Sequence, residues 1–182
     1  MVAIEEDIGL INQVKAGDNN AFGKLVEKYK QRIYFVAYRM TNNHADADDL
    51  SQEAFIKAYE QINNFKAKSS FSTWLYRIVV NLTINHLNKI GRKQIFTLDD
   101  NIHIEDNSAS PEKIEQQRWL HEQITRAISS LPLKQKVVVE LALLQRLPHR
   151  EIAGILGCPE KTVSWRLFQA RKTLKGKLNS FV

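Results

Sequence analysis

The residues of this sequence whose types and spacing best suit metal chemistry lie in HADADDLS, residues 44–51. His44, Asp46, Asp48 and Asp49 bring an imidazole and three carboxylates close together, and metal ions bind both groups in proteins. The same acids stand at the start of a predicted helix, where the positive end of the helix dipole favours negative charge. We therefore expect no metal and no catalytic residue here, and a metal-dependent enzyme remains an alternative.

The helix that contains these residues has two predicted faces. The apolar positions recur at helical spacing, and we expect them to be buried: Ala47, Leu50, Ala54, Phe55, Ala58 and Ile62. The opposite side presents Asp49, Gln52, Glu53, Ile56 and Glu60, and we call the first four of these the acidic face. A merely solvated face rarely holds a β-branched apolar residue at its centre. The acidic face therefore predicts docking to a basic partner surface.

A second group of candidate residues lies in the loop from Phe65 to Thr73 and in the helix after it. The loop mixes aromatic, basic and hydroxyl side chains, and Trp74, Tyr76 and Arg77 follow it directly. Rings stack on unpaired bases while cations contact phosphates, so this composition favours binding of a single nucleic-acid strand. Trp74 also fits a core position. Ser70 or Ser72 is expected to cap the helix.

A third group lies in HREIAGILGCPEKTVSWRL, residues 149–167, whose spacing is typical of a helix-turn-helix. Gly157 permits the positive φ of a tight helix exit, and Pro159 suits the start of the next helix. Cys158 is expected to be a small buried residue between the two helices and not a reactive thiol.

The second helix of this unit has a predicted buried stripe at Val163, Leu167, Ala170 and Leu174. The opposite side presents Lys161, Trp165, Phe168, Lys172 and Lys175. Residues 159–177 carry six Lys or Arg and one Glu, so the helix is strongly basic. This pattern favours a helix that enters the DNA major groove, with lysines reaching phosphates. The alternative is a solvated helix whose Trp165 packs on a neighbouring domain.

Helices must position all three groups, because helical periodicity dominates the chain and no strand alternation is convincing. For 182 residues we predict an all-α fold of two small helical domains. The acidic stretch TLDDNIHIEDNSASPEKIEQQ predicts a flexible linker, which places the domains at 1–95 and 118–182 and the linker at 96–117. We expect helices near residues 5–17, 20–40, 45–62, 70–90, 111–130, 133–145, 149–156 and 160–178.

Charge and cysteine content narrow the possible functions. The net charge is +6, and residues 118–182 carry twelve basic and four acidic residues, which favours a nucleic-acid partner. No apolar stretch is long enough to cross a membrane, and a single cysteine cannot form an internal disulfide. We therefore expect a cytoplasmic protein without a cofactor.

Taken together, these stretches resemble the extracytoplasmic-function (ECF) group of bacterial RNA polymerase sigma factors. DADDLSQEAFIKAY is similar to the region 2 helix that binds the β′ clamp helices of core RNA polymerase. FSTWLYRIVVN resembles the segment that melts the promoter and recognises the −10 element. Residues 131–174 resemble region 4, which reads the −35 element and contacts the β flap.

The resemblance implies a transcription initiation factor and not an enzyme. It assigns core polymerase binding to Asp49, Gln52, Glu53 and Ile56. It assigns the −10 strand to Phe65, Lys66, Ser70, Phe71, Ser72, Thr73, Trp74, Arg77, Asn81 and Asn85. It assigns the −35 duplex to Lys161, Thr162, Ser164, Trp165, Arg166, Phe168, Arg171 and Lys172. It also implies promoter DNA and an anti-sigma factor as partners, no small-molecule substrate, and a linker that follows the template and RNA-exit channel.

Four positions depart from the residues common in that family, namely Ser164, Trp165, Asn85 and Asn88. The promoter sequence therefore cannot be inferred by analogy. A conventional repressor or activator, which would use only the helix-turn-helix and would not bind polymerase, is a second alternative. Co-purification with core polymerase discriminates the two.

Overall fold

The computed structural model describes residues 2–93, 119 and 123–178, and the regular elements within this part of the chain are all helical. They are α1 (Val2–Lys15), α2 (Asn19–Thr41), α3 (His44–Glu60), α4 (Phe71–Lys93), α5 (123–129), α6 (Leu133–Val139), α7 (His149–Leu156) and α8 (Glu160–Leu178). A 3₁₀ turn, Ile62–Asn64, follows α3, and a π-helical turn, Glu140–Leu144, continues α6. The all-α prediction is confirmed. The predicted linker, residues 96–117, lies outside the described residues, as does most of the helix expected near 111–130.

Helix α2 is the centre of the N-terminal half, residues 2–93, and packs against α1, α3 and α4. Its side chains Leu25, Ile33 and Val36 are fully buried, and each such burial contributes roughly 1.5–3 kcal/mol. The helix begins after Asp18, whose carboxylate accepts a hydrogen bond from the Asn20 amide. It ends at Asn42, whose left-handed conformation reverses the chain into α3.

The C-terminal half, residues 123–178, is built around the predicted helix-turn-helix of α7 and α8. Gly157 ends α7 with φ of 60°, as the tight turn requires. The predicted inner residues Ile152 and Val163 are fully buried, and α6 adds Val137 and Val138 to the same core. Cys158 is partly buried and packs on this core, in agreement with the expected role as a small residue between the helices.

The two halves also pack on each other, which the sequence did not predict. Helix α4 contacts α7, and α2 contacts α6. The buried residues of both halves form one continuous hydrophobic cluster. The predicted two sets of helices are therefore present, but in this structure their cores are joined.

Candidate functional site

The basic side of α8, which the resemblance assigns to the −35 duplex, is open to solvent. Trp165 is 59% exposed and Phe168 is 63% exposed, so the alternative in which Trp165 packs on a neighbouring domain does not hold in the described residues. The stripe that holds the helix in place is buried at Val163, Leu167 and Ala170. Of the residues assigned to the −35 duplex, the structure exposes Lys161, Ser164, Trp165, Phe168, Arg171 and Lys172, and it half-buries Thr162 and Arg166. The predicted basic, aromatic face is thus present as one surface.

One residue beside this face was missed by the sequence reasoning. His149, the first residue of α7, places its Nδ1 3.0 Å from the Ser164 hydroxyl. That hydroxyl also donates to the backbone carbonyl of Glu160 at 3.2 Å. The two residues lie fifteen positions apart in the chain, and only the helix-turn-helix geometry brings them together. His149 therefore helps to set the orientation of Ser164.

The acidic face lies on α3, and the structure separates its two sides as predicted. Ala47, Leu50, Ala54, Phe55 and Ala58 are buried. Asp49, Gln52 and Glu53 are exposed, and Ile56 is 59% exposed among them. Glu53 forms an ion pair of 2.8 Å with Lys57 one turn further on, which contributes little at a solvated surface.

Two residues of the alternative metal site, His44 and Asp46, are engaged in other contacts. His44 Nδ1 lies 2.5 Å from the Tyr34 hydroxyl, and its ring stacks on Tyr38. Asp46 Oδ1 lies 3.2 Å from His86 Nε2 on α4. Within the described ranges, no group of three or more His, Cys, Asp or Glu could hold a metal ion.

The loop after α3 is held by aromatic packing. Phe65 and Phe71 are buried, and their rings lie 5.9 Å apart in an edge-to-face arrangement, with Trp74 close to both. The expectation that these two phenylalanines stack on bases is therefore wrong for this arrangement, because their rings fill the core below the loop. Trp74 is half-buried, so its ring packs on the core and is also partly accessible for stacking on a base.

Polar contacts fix the same loop at both ends. At the end that leads into α4, the Ser70 hydroxyl accepts from the Thr73 amide at 3.1 Å, which confirms the predicted cap. At the other end, Lys15 of α1 donates to the Phe65 carbonyl at 2.8 Å. Lys66 stays exposed between them, whereas Ser70 and Ser72 are half-buried.

A stripe of polar residues runs along α4 at intervals of four, and we call it the reading stripe: Thr73, Arg77, Asn81 and Asn85. Arg77, Asn81 and Asn85 are exposed, as a strand-binding role requires. Thr73 is only 7% exposed, because its hydroxyl donates to a carboxylate oxygen of Glu151 on α7 at 2.5 Å. The C-terminal half thus covers the first residue of the stripe.

Next to Thr73, a second contact joins the halves. Tyr76 is 3% exposed and its hydroxyl donates to the side-chain carbonyl of Gln145 at 2.8 Å. Burial raises the pKa of Tyr76, so the phenol stays protonated and remains a donor. Gln145 in turn donates to the Glu140 carboxylate at 3.2 Å. No local pattern predicts this pairing, since Tyr76 and Gln145 are 69 positions apart.

Glu140 is the centre of a buried polar network between α2 and α6. Burial raises its pKa to about 7, against the opposing effects of Gln145, Arg39 and Lys136. Arg39 Nε lies 3.9 Å from the Glu140 carboxylate, and Lys136 donates to the backbone carbonyl of Met40 at 3.1 Å. Burial lowers the pKa of Lys136. Partners from both halves therefore keep these two buried charges from being isolated.

Comparison with known protein families gives two matches that follow the order of these surfaces. Sigma-70 region 2 matches residues 25–93, which contain the acidic face and the reading stripe. Sigma-70 region 4 matches residues 121–174, which contain the helix-turn-helix.

Several curated relatives match almost end to end. The ECF RNA polymerase sigma factor SigW of Bacillus subtilis is 38% identical over 92% of this chain and 94% of its own. The RNA polymerase sigma-H factor of Pseudomonas aeruginosa is 35% identical over 96% of this chain and 94% of its own. The ECF RNA polymerase sigma-E factor of Escherichia coli is 34% identical over 95% and 94%.

Solved structures support the same fold. CnrH, in complex with the cytosolic domain of CnrY, superposes with a TM-score of 0.71 at 22% identity and covers 96% of this chain and 98% of its own. The sigma factor RpoE of Bartonella quintana, in complex with the anti-sigma factor NepR, gives 0.72 at 21% identity, with coverage of 87% and 96%.

The fold and the order of its surfaces define a two-region transcription initiation factor, which directs RNA polymerase to promoters. The chain belongs to the ECF RNA polymerase sigma factors.

Proposed function

We propose that the chain performs promoter selection through three separate surfaces. The acidic face binds core polymerase, the reading stripe with its loop holds the unpaired −10 strand, and α8 enters the −35 major groove. The observation that carries this proposal is the open basic side of α8, on which Trp165 and Phe168 are exposed without a partner helix among the described residues. A merely structural helix would bury two such rings.

For polymerase binding, Asp49, Gln52, Glu53 and Ile56 supply charge at the rim and an apolar centre. The proposed counterpart is the β′ clamp helices, which would have to present basic residues around an apolar pocket. Complementary charge speeds the encounter and fixes its register, and burial of Ile56 adds affinity. The C-terminal half is proposed to contact the β flap.

For the −10 strand, the proposal relies on the exposed members of the assigned set. Lys66 and Arg77 neutralise phosphates, Trp74 offers a partly accessible ring, and Asn81 and Asn85 offer amide donors and acceptors. Phe65 and Phe71 act indirectly, because they support the loop from below. Flipping a base costs a few kcal/mol, and stacking on one ring returns about 1–3 kcal/mol.

Two further parts of the proposal concern the cellular setting. CnrH and the Bartonella quintana RpoE were solved with CnrY and with the anti-sigma factor NepR. We propose that this chain also has an anti-sigma partner, and that it works in the cytoplasm with no catalytic role of its own. Among the described residues no helix is both long and apolar enough to cross a membrane.

The test is run-off transcription with core polymerase on genomic fragments, followed by mapping of the start sites. Wild-type protein should bind core polymerase and produce discrete transcripts. Glu53→Lys should lose most of that binding, because it puts a cation on the surface that faces a basic partner. The matched control is Glu27→Lys, since Glu27 is an exposed acid on α2 outside the acidic face.

The same experiment separates the proposal from a conventional repressor or activator. Such a regulator would bind duplex promoter fragments but would neither co-purify with core polymerase nor support transcription. Unchanged polymerase binding by Glu53→Lys would also overturn the assignment of the acidic face.

A further inference from the structure

We propose that Ser164 is a hydrogen-bond acceptor for the amino group of an adenine or a cytosine in the −35 duplex, and that His149 positions it for this role. This inference rests on the proposed function, which places α8 in the −35 major groove. It adds the chemical class of base that one residue selects.

Ser164 lies on the exposed side of α8, near the start of the helix. It is the fifth residue of Glu160–Leu178, and residues at the N-terminal end of a recognition helix are the ones that reach base edges. Lys161, three positions before it, and Phe168, four positions after it, lie on the same side and are exposed as well. A duplex that contacts this side would therefore meet the Ser164 hydroxyl between a cation and an aromatic ring.

The single proton of the Ser164 hydroxyl is already used inside the protein. The hydroxyl donates to the backbone carbonyl of Glu160 at 3.2 Å, and a carbonyl can only accept. The same oxygen lies 3.0 Å from Nδ1 of His149, so both contacts are hydrogen bonds together only when Nδ1 carries a proton and donates it. If Nδ1 accepted instead, the hydroxyl proton would point to the histidine. In either tautomer, no proton of Ser164 is left for the duplex.

A lone pair of the Ser164 oxygen is what remains for the duplex. A hydroxyl oxygen has two lone pairs, and one of them accepts from His149 in the tautomer that satisfies both contacts. In the major groove, adenine and cytosine present amino groups as donors, whereas guanine and thymine present carbonyl acceptors at the corresponding positions. The remaining lone pair of Ser164 therefore matches adenine or cytosine and meets an unfavourable acceptor in guanine or thymine.

Three neighbouring side chains on this surface offer hydrogen-bond donors only. Lys161 and Lys172 carry ammonium groups, and Trp165 carries an indole N–H, so none of them accepts. Donors of this kind suit phosphates and the acceptors of guanine. Selection of a base by its amino group requires an acceptor, which the Ser164 oxygen supplies.

His149 holds the serine in this state from the other helix of the unit. A serine side chain on a helix surface exchanges among staggered rotamers, and burial does not hold the exposed Ser164 in one of them. The contact from His149, the first residue of α7, gives the hydroxyl a second anchor beside the Glu160 carbonyl. His149 is therefore a positioning residue, which acts on the base through Ser164.

The test uses holoenzyme reconstituted from core polymerase and each full-length variant. The template is a barcoded promoter library in which the −35 segment, located by run-off transcription, is randomised, and the barcodes in the transcripts report the base preferred at each position. With the wild type, one position should favour adenine and cytosine over guanine and thymine on one strand by about fivefold to tenfold, as one hydrogen bond allows. Ser164→Ala should abolish the preference at that position and leave the others in place.

Two substitutions of His149 test its positioning role. His149→Ala removes the donor and should reduce the same preference to about twofold, whereas His149→Asn keeps an amide N–H near the place of Nδ1 and should restore most of it. In the Ser164→Ala background, His149→Ala should have no further effect at this position, because the two residues act together. The matched control is His44→Ala, which removes an exposed histidine on α3 and should leave every −35 preference unchanged.

The outcomes separate this inference from the proposed function. A position that favours adenine and cytosine, and that responds to Ser164→Ala and His149→Ala but not to His149→Asn, supports it. The inference is overturned if Ser164→Ala changes no position, or if the responding position favours guanine or thymine. Equal effects of His149→Ala with and without Ser164 overturn the positioning role, as does a His149→Asn variant that behaves like His149→Ala. If wild-type holoenzyme starts no transcription at discrete promoters, the proposed function fails instead.

Discussion

The two proposed DNA-binding surfaces differ in how ready they are to bind. On α8 the outward residues Trp165 and Phe168 are open to solvent, and a buried stripe holds the helix from behind. On α4 the reading stripe is open at Arg77, Asn81 and Asn85 but closed at Thr73. The surface of α8 is accessible in the folded chain. The surface of α4 is partly covered by the C-terminal half, which is the half that contains α8.

The proposed duplex-binding surface is therefore fully accessible in the folded chain, whereas the proposed strand-binding surface is accessible only in part. A helix that enters a major groove needs only to be held firmly by the core behind it, and the buried side of α8 meets that need. A surface that holds an unpaired strand would also bind unrelated single strands if it were always open.

The largest effect on stability is expected from truncating a buried side chain of α8. Leu167 is buried against the core, so Leu167→Ala should lower the free energy of unfolding by about 3 kcal/mol. The neighbouring Phe168→Ala should change stability by less than about 0.5 kcal/mol and still weaken duplex binding. Urea denaturation and duplex titration of both variants measure this contrast, and equal destabilisation by the two would contradict it.

The next effect is the pH dependence of stability that Glu140 produces at the contact between the two halves. Burial raises the pKa of Glu140 from 4.5 to about 7, so the folded protein binds this proton more tightly than the unfolded chain does. Stability should therefore fall as pH rises, by about 2 kcal/mol between pH 5 and pH 8. The groups that face Glu140 are Gln145 on its own element, Lys136 on α6, Arg39 on α2 and Tyr76 on α4.

Urea denaturation across this pH range measures the effect. Glu140→Gln keeps the side-chain shape and removes the titrating proton, so its stability should change much less with pH. A wild-type curve that rises with pH in this window would contradict the assignment of Glu140 as a buried acid.

A smaller effect is expected in the sequence preference of α8. Ser164→Ala and Trp165→Ala should alter discrimination at the −35 element by about 1–3 kcal/mol, because each removes a side chain from the part of α8 that is proposed to meet base edges. His149→Ala should also change the preference, since it removes a partner that orients the serine hydroxyl but leaves that hydroxyl in place. Selection from a randomised duplex pool measures all three, with Lys175→Ala as the control that leaves preference unchanged.

The smallest effect is expected for Lys172, an exposed residue on the same helix. Lys172→Ala should weaken binding to every duplex alike and reduce the slope of log affinity against log salt by about 1, because one phosphate contact is lost. Lys30→Ala, which removes an exposed lysine on α2, should leave the slope unchanged. A change of base preference in Lys172→Ala would contradict the assignment to phosphate.

The sequence alone predicted the features that depend on residues close together in the chain. The buried stripe of α8, the two sides of α3 and the turn at Gly157 all depend on neighbours within a few residues, and each prediction is confirmed. Periodicity could not place Phe65 and Phe71, because aromatic residues in a loop fit both a core and a base-stacking role. Their burial depends on the space left between packed helices.

The contact of α7 with α4 could not be predicted from the sequence, for a different reason. Thr73 and Glu151 are 78 positions apart, and no local pattern links them. Lys136 and Glu140 carry no local pattern that sets them apart from other charged residues, yet both are buried at the contact between the halves. The surfaces of this protein could be listed from its residues, but which of them cover each other follows only from the three-dimensional packing.

The left-handed turn at Gly157 has a mechanical consequence. It helps to set the angle between α7, which holds Thr73 through Glu151, and α8, which is proposed to face the duplex. Ile152 of α7 and Val163 of α8 are both fully buried in the core that the two helices share, so packing on both sides of the turn holds their relative angle. A movement of α8 is therefore expected to carry α7, and with it the Glu151 contact to Thr73, as a rigid unit.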